Sequence, residues 1–365
     1  MKIALAHDSF SQFGGAERVF EGLHQIFPQA PVFTLVVDEK LAGRYRNWNL
    51  SLSKLQSFYQ LLPKLKYWLP LIPWAVSSLK IEGFDVVLST SSGFIKNVKV
   101  PEGCLHINYC HTPTRFLWVD QDYLEQEVPR VLRWPAKLIL RFVKRWDLRG
   151  AKRVNFFIAN SKEVQKRIKQ AYHRDSEVIY PFVDTDFWKA TGVKKDYFLI
   201  GGRLQAHKKN YAIIELFNDL NIPLHVVGSG RQEAVLKAIA KPNVKFLGWL
   251  NDEQLRDEYS GAKALIFPQV EDFGLMPLEA AACGTPTIGL AKGGNLETII
   301  PGKTGELSDF SDESGLKSLI LNFQVQKYSQ ETLRLRAERF SFENFKKSIR
   351  LFIARVSSKS DEFRF

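Results

Sequence analysis

Short apolar runs recur along the chain, each closed by a polar or glycine-rich turn and followed by a helix-like stretch. In the first half they are KIALAH (2–7), VFTLVV (32–37), DVVLST (85–90), LHINYC (105–110) and FFIANS (156–161). In the second half they are YFLIGG (197–202), LHVVGSG (224–230), VKFLGW (244–249), ALIFPQ (264–269) and TPTIGL (285–290). Runs of this length, rich in Val, Ile and Phe and without strict alternation, read as strands buried on both faces of parallel sheets. Two such series predict an α/β protein of two doubly wound, Rossmann-like domains. The first is expected over 1–180 and the second over 197–340. The aperiodic segment 181–196, just after Tyr180, serves as linker. In the tail, 341–365, Phe345, Ile349, Phe352, Ile353 and Val356 fall at helical spacing.

Two stretches of the first half break this rhythm. Residues 54–80 are rich in Leu and aromatics and broken by proline. Their longest uncharged apolar part, YWLPLIPWAV (67–76), is far shorter than the roughly 20 residues of a membrane span. Residues 131–153 hold eight Lys/Arg against one Asp, with Trp134, Leu138, Phe142 and Trp146 near one helical stripe. Basic and aromatic residues at this spacing suit a helix lying on an anionic membrane surface. They equally suit a helix packed on its own sheet with its charges in water.

The composition of the 365 residues, 45% apolar and 25% charged, excludes a disordered or collagen-like chain and gives each half enough length for its own core. Three cysteines, Cys104, Cys110 and Cys283, give neither a disulfide framework nor zinc-ligand spacing, so a reducing cytoplasm is expected. The opening MKIALAHDSF meets a polar His7-Asp8 too early for a signal peptide. Residues 1–180 carry 26 Lys+Arg against 16 Asp+Glu, and 181–365 carry 25 against 23. The first half therefore points to an anionic partner: nucleic acid, a phospholipid surface or a phosphorylated substrate.

The segment VEDFGLMPLEAAACGTP (270–286) narrows the choice. Glu271 and Glu279 have seven residues between them, with a Gly-Leu turn and then Pro277 opening an Ala-rich run that stops at Gly284. This places Glu271 on the loop after strand 264–269 and Glu279 in the first turns of a helix. The NH groups of Gly274 and Leu275 at that helix start suit a pyrophosphate, and glycine lets an anion come close to the backbone. Glu279 is placed to accept from ribose hydroxyls and Glu271 to hold a sugar hydroxyl. GGRLQAHKKN (201–210) follows strand 197–202, so Arg203 and Lys208 leave from a strand-end loop where they could neutralise a departing diphosphate. GGAER (14–18) puts Gly15 at a strand–helix turn able to approach phosphate, GSG (228–230) could border a nucleotide, and His111 ends the buried strand 105–110.

At these residues the chain resembles the retaining GT-B glycosyltransferases of family four. The likeness rests on Glu271…Glu279 within FGLMPLEAAACGTP, GGRLQAHKK, VKFLGWLNDEQL, GGNLETI and the N-terminal glycine pair, in the family's order over nearly the whole chain. HDSFSQFGGAERV, YCHTPTRFLW and ANSKEV…VIYPFVDTDFW resemble a bacterial mannosyltransferase-like subgroup, with Phe182 and Phe116 as two small departures. The resemblance implies two Rossmann-like domains facing a cleft and a C-terminal helix crossing back to the first. It implies that Arg203 and Lys208 bind the diphosphate and Glu279 the ribose. Glu271 with the amides of Phe273, Gly274 and Leu275 would hold sugar and phosphate; His111 would touch the sugar, and Gly15 would lie near the diphosphate. It further implies retention of configuration without a metal or other cofactor.

The resulting expectation is transfer of a hexose, mannose from GDP-mannose, to a lipid-linked or polysaccharide acceptor in cell-surface glycan assembly. The enzyme would be peripheral at the inner face of the membrane and would bind no nucleic acid. The alternative is the same fold and mechanism with a UDP-sugar donor. A phosphorylase, a basic nucleic-acid-binding protein and a pseudoenzyme are more distant readings. The last two leave Glu271, Glu279, Arg203 and Lys208 unexplained or intact without purpose.

Overall fold

The computed structural model describes residues 1–120, 125, 128–205 and 209–362. The chain divides into two compact units, Met1–Tyr180 with Lys346–Phe365, and Pro181–Phe345. Residues 181–196 thus count with the second unit.

The first unit is built on seven parallel strands: β1 (Ile3–His7), β2 (Val32–Thr34), β3 (Leu50–Leu52), β4 (Val86–Ser91), β5 (Leu105–Cys110), β6 (Phe156–Ala159) and β7 (Ser176–Val178). Their order is β3-β2-β1-β4-β5-β6-β7. The chain winds outward from β1 in one direction and from β4 in the other. The two central strands pair in register from Ile3 opposite Val86 to His7 opposite Thr90. Strand order reverses between them, and the carboxyl ends of strands at such a point form the natural ligand crevice of an open α/β sheet. The predicted strand 32–37 is shorter than its apolar run. After Thr34 the chain leaves the ladder to pair with the loop following β1, Leu35 donating to the Asp8 carbonyl and Phe10 to that of Val36.

The stretch 54–80 folds as a helix (Gln56–Leu61), a 3-10 turn (Leu65–Leu71) and a second helix (Ile72–Ser77). Prolines 63, 70 and 73 set the breaks, since each lacks an NH and fixes its own φ. Ile72, Ala75 and Val76 enter the core beside Leu35, Phe94 and Val143. The basic stretch forms one helix, Arg133–Arg153. Its second half is anchored by buried Val143, Asp147, Gly150 and Ala151. Gly150 is required there, because a Cβ would sit 1.6 Å from the Asn97 side-chain oxygen. Leu140 packs on the core from the first half, but other apolar side chains there are exposed: Trp134 is 73% and Phe142 60% exposed.

The second unit holds six parallel strands: β8 (Phe198–Gly201), β9 (Leu224–Val227), β10 (Val244–Gly248), β11 (Ala264–Phe267), β12 (Thr287–Leu290) and β13 (Gly305–Ser308). Their order is β10-β9-β8-β11-β12-β13, so the reversal lies between β8 and β11. Its core joins Phe198, Ile200, Ile214, Phe217, Val226 and Ile266. The C-terminal helix runs from Phe342 to Glu362 and from Lys346 onward belongs to the first unit. The five apolar positions predicted there are all buried. Phe352 meets Phe156 edge-on, and Arg355 pairs with Glu177.

Candidate functional site

In the second unit the loops after β8, β9, β11 and β12 meet backbone to backbone at the carboxyl edge. The Gly202 amide donates to the Val227 carbonyl, that of Leu204 to Ser229 and that of Gly294 to Glu271. Such close approach demands glycine. A Cβ at Gly228, which has φ +116°, would lie 2.0 Å from the Gly202 oxygen, and one at Gly294 would lie 2.2 Å from that of Phe273.

This frame presents the predicted residues. Gly274, at φ +91°, caps the helix Leu275–Ala282 and gives it no side-chain acceptor. The helix therefore starts with backbone NH donors and a positive dipole end, where an anion is stabilised. Phe273 is buried against Phe340, fixing the turn from below. Glu271 is partly exposed on the loop just before it. Glu279 is buried one turn into the helix and accepts from the Tyr259 hydroxyl at 3.2 Å. Arg203 leaves the loop after β8 exposed, its guanidinium without a partner among the described residues. Lys208 lies outside the described residues.

In the first unit Gly15 opens the helix Gly15–Ile26, whose cap, Gly14, likewise supplies no side-chain acceptor. His111 follows β5, its amide donating to the Ser91 carbonyl at 2.8 Å. Its ring is 8% exposed, and Nε2 has no hydrogen-bond partner among the described residues. Burial, with His7 nearby, pushes its pKa down to about 3, so the ring is neutral at pH 7 and able to accept or donate one bond. Nε2 of His7 is likewise unbonded apart from a distant Glu17 carboxylate at 3.7 Å, while Nδ1 meets the Thr90 hydroxyl at 2.6 Å.

Several residues of these edges were not singled out from the sequence. Asp8, one step past β1, accepts from the four successive amides of Ser92, Gly93, Phe94 and Ile95 at 2.7–2.8 Å. The polar doublet closing the first apolar run was its only signal. Asn295, fully buried, donates from Nδ2 to the Gln269 and Leu290 carbonyls and ties two site loops together. Tyr259 reads in the sequence as an ordinary core aromatic.

The buried imidazoles make stability depend on acidity. His106 and His111 both have folded pKa values of about 3, mainly through burial. Above pH 6.5 neither state is protonated and they contribute no pH dependence. Between pH 6.5 and about 3 the unfolded chain takes up the protons and the fold does not, so each lowers stability by about 1.4 kcal/mol per pH unit. Guanidinium melts from pH 7.5 to 5 should show this loss, and His106→Asn should reduce the slope by about one proton. An unchanged slope would mean that the imidazole is protonated within the fold.

Residues 13–187 match the model for Glycosyltransferase Family 4, and residues 184–338 match that for Glycosyl transferases group 1. Together with two doubly wound units, this makes the chain a member of the GT-B class of glycosyltransferases. Over 164 residues it is 30% identical to the O-antigen chain mannosyltransferase RfbU of Salmonella typhimurium, covering 42% of this chain and 46% of that one. Over 109 residues it is 37% identical to a GDP-mannose-dependent monoacylated alpha-(1-6)-phosphatidylinositol monomannoside mannosyltransferase of Corynebacterium glutamicum, covering 27% and 28%. The matched segments thus span less than half the length of these curated relatives. Among solved structures, Anabaena HepE in complex with UDP superposes with a TM-score of 0.73 at 17% identity, covering 97% of this chain and all of that one. Sucrose-phosphate synthase from Thermosynechococcus elongatus gives 0.71 at 16%, covering 98% and 100%. These two likenesses are of fold.

Among the described residues no group of three or more His, Cys, Asp or Glu is arranged to hold a metal ion. No helix among them is long and apolar enough to cross a membrane.

Proposed function

We propose that the protein is a retaining glycosyltransferase moving a hexose from a nucleoside-diphosphate sugar to a lipid-linked or polysaccharide acceptor. The observation that carries this is the edge between β8 and β11: an uncapped helix start at Gly274, an exposed Arg203 beside it in the fold, and Glu271 and Glu279 flanking the turn. The amides of Phe273, Gly274 and Leu275 take the phosphates, Arg203 and Lys208 neutralise the departing diphosphate, Glu279 holds the ribose and Glu271 the sugar. Within the first unit, His111 is the candidate contact for a sugar and the glycine turn at Gly15 for a phosphate. The leaving phosphate assists deprotonation of the acceptor, which needs no metal.

A UDP-sugar is the preferred donor. It is supported by full-length likeness to HepE, solved with UDP and with UDP-glucose. GDP-mannose is the second reading, favoured by local identity to two GDP-mannose-dependent mannosyltransferases of Corynebacterium glutamicum. Thermal melting against UDP, GDP, ADP and their sugars separates the two, since a ligand at ~100 times its Kd adds about 2.7 kcal/mol. A UDP-selective rise that Glu279→Ala removes is the expected result. A GDP-selective rise would transfer the assignment to the second reading, and no rise with any nucleotide would overturn both.

The enzyme sits peripherally on the inner, anionic face of the cell membrane. Support comes from the first half of the helix Arg133–Arg153, where Trp134, Leu138 and Phe142 are exposed among basic residues. Flotation with phosphatidylglycerol vesicles that is indifferent to Trp134→Ser/Phe142→Ser would exclude this placement.

A further inference from the structure

We propose that Tyr259 is a positioning residue, whose hydroxyl fixes the Glu279 carboxylate in the orientation that takes the ribose hydroxyls of the donor. The proposal rests on the ribose role given to Glu279 above and extends it to a residue one hydrogen bond further from the ligand. Glu279 lies one turn into the helix Leu275–Ala282. Helical side chains lean toward the N-terminus, so its carboxylate is carried back toward the start at Gly274. A glutamate side chain has many rotamers, and a carboxylate that must meet a ribose edge needs one of them. Tyr259 selects it. The tyrosine stands in the last turn of the neighbouring helix Asp252–Gly261, and its hydroxyl donates to Glu279 Oε2 at 3.2 Å.

Tyr259 is itself held at both ends. Its ring is fully buried and meets Trp188, 2% exposed, edge-on at a centroid distance of 5.6 Å. Its carbonyl accepts from the Ala262 amide at 3.3 Å and from the Thr285 hydroxyl, and that hydroxyl accepts in turn from Lys194 Nζ. Thr285 closes the turn after the helix that carries Glu279, its amide donating to the Ala280 carbonyl at 2.8 Å. The two helices are thus joined twice, through Thr285 at the backbone and through the phenol and carboxylate at their side chains. Stability does not call for the second link. Burying a phenol and a carboxylate costs desolvation, and an apolar pair of the same shape is often as stable. A buried polar pair beside an uncapped helix start is explained by what it orients.

The test is the affinity of the full chain for UDP, 2′-deoxy-UDP and 3′-deoxy-UDP by titration calorimetry, with GDP and its two deoxy counterparts in parallel. A hydrogen bond to a carboxylate should make the preferred diphosphate bind about tenfold or more tightly than at least one of its deoxy forms. Tyr259→Phe removes one oxygen and keeps the ring. It should reduce this preference by about fivefold or more, weakening the parent diphosphate and leaving the deoxy form bound as in wild type. A purely structural role would weaken all three alike and leave the ratio unchanged. In a Glu279→Ala background the tyrosine change should have no further effect on the ratio, as for two residues acting through one contact. Thr285→Val, which releases the Tyr259 carbonyl from that side chain, is the second variant and should lower the preference in the same direction. A melting curve for each shows that it has folded. An unchanged ratio in both folded variants, with the wild-type preference present, would overturn the positioning role and leave Glu279 on the ribose. A wild type indifferent to both ribose hydroxyls would instead remove Glu279 from the ribose, and the role of Tyr259 with it.

Discussion

Asp147→Ala should destabilise the first unit by about 3–5 kcal/mol, the loss typical of leaving one member of a buried ion pair alone. Asp147 is fully buried on the basic helix, with Lys96 Nζ at 2.6 Å from its carboxylate and that lysine only 1% exposed. Three neutral donors complete the site: the Trp118 indole at 2.8 Å, the Tyr172 hydroxyl at 3.0 Å and the Asn97 amide at 3.3 Å. Lys96 also donates to the Gly93 carbonyl at 2.6 Å, in the loop that Asp8 holds. One carboxylate therefore joins the turn after β4, the helix Arg133–Arg153 and the helix Lys162–Tyr172. Removing it strands an ammonium and three donors in a fully buried site, where each unmade bond is expensive. Asp147→Asn keeps an acceptor and should cost less than the alanine variant. Urea midpoints of the two variants measure the order and size of the losses. A change below about 1 kcal/mol for Asp147→Ala would show that the lysine finds water or another partner. The same change loosens the base of the helix whose exposed half carries Trp134 and Phe142, so vesicle flotation should weaken with it.

Much of the fold was legible because a parallel sheet covered on both faces needs unbroken apolar strands. All ten runs read from the sequence contain strands, and β5 coincides with its run residue for residue. The three strands that escaped, Leu50–Leu52, Ser176–Val178 and Gly305–Ser308, are edge strands of three or four residues. An edge strand is paired on one side only and needs little apolar signature, so sequence pattern is weakest there. The C-terminal helix was visible for the opposite reason, since five buried positions at helical spacing leave a strong pattern. At the site, Gly274 and the helix it starts could be read from punctuation alone. The supporting contacts could not. Asp8, Tyr259 and Asn295 act through partners 84, 20 and 26 residues away, and no local pattern encodes such distances. The basic helix shows the limit of periodicity. Its stripe of Trp134, Leu138, Phe142 and Trp146 suits both a membrane face and a packed face, and the fold packs only part of it. Trp146 packs on Phe94, while the other three remain exposed.

Arg203→Ala should lower kcat by about 10²–10³, the range found when one fixed donor to a developing charge is removed. The residue owes this weight to how its loop is held. Leu204 beside it is 1% exposed, its amide donates to the Ser229 carbonyl at 3.0 Å, and its own carbonyl accepts from Gln232 at 3.1 Å. A Cβ at Gly230 would lie 2.3 Å from that carbonyl, so the loops after β8 and β9 are locked together by contact as well as by hydrogen bonds. The guanidinium therefore leaves from a rigid backbone at the strand reversal, already exposed and needing little reorganisation when the diphosphate departs. Because the added charge on the leaving group appears only as the glycosidic bond breaks, the loss should fall on kcat more than on KM. Arg203→Lys keeps the charge without the planar fork and should recover part of the rate. Steady-state kinetics with the donor that raises the melting temperature supply both parameters, and an unaltered melting curve of the free variant separates a chemical role from a structural one. A kcat within threefold of wild type would remove Arg203 from the reaction and leave the helix start at Gly274 as the principal stabiliser of the leaving group.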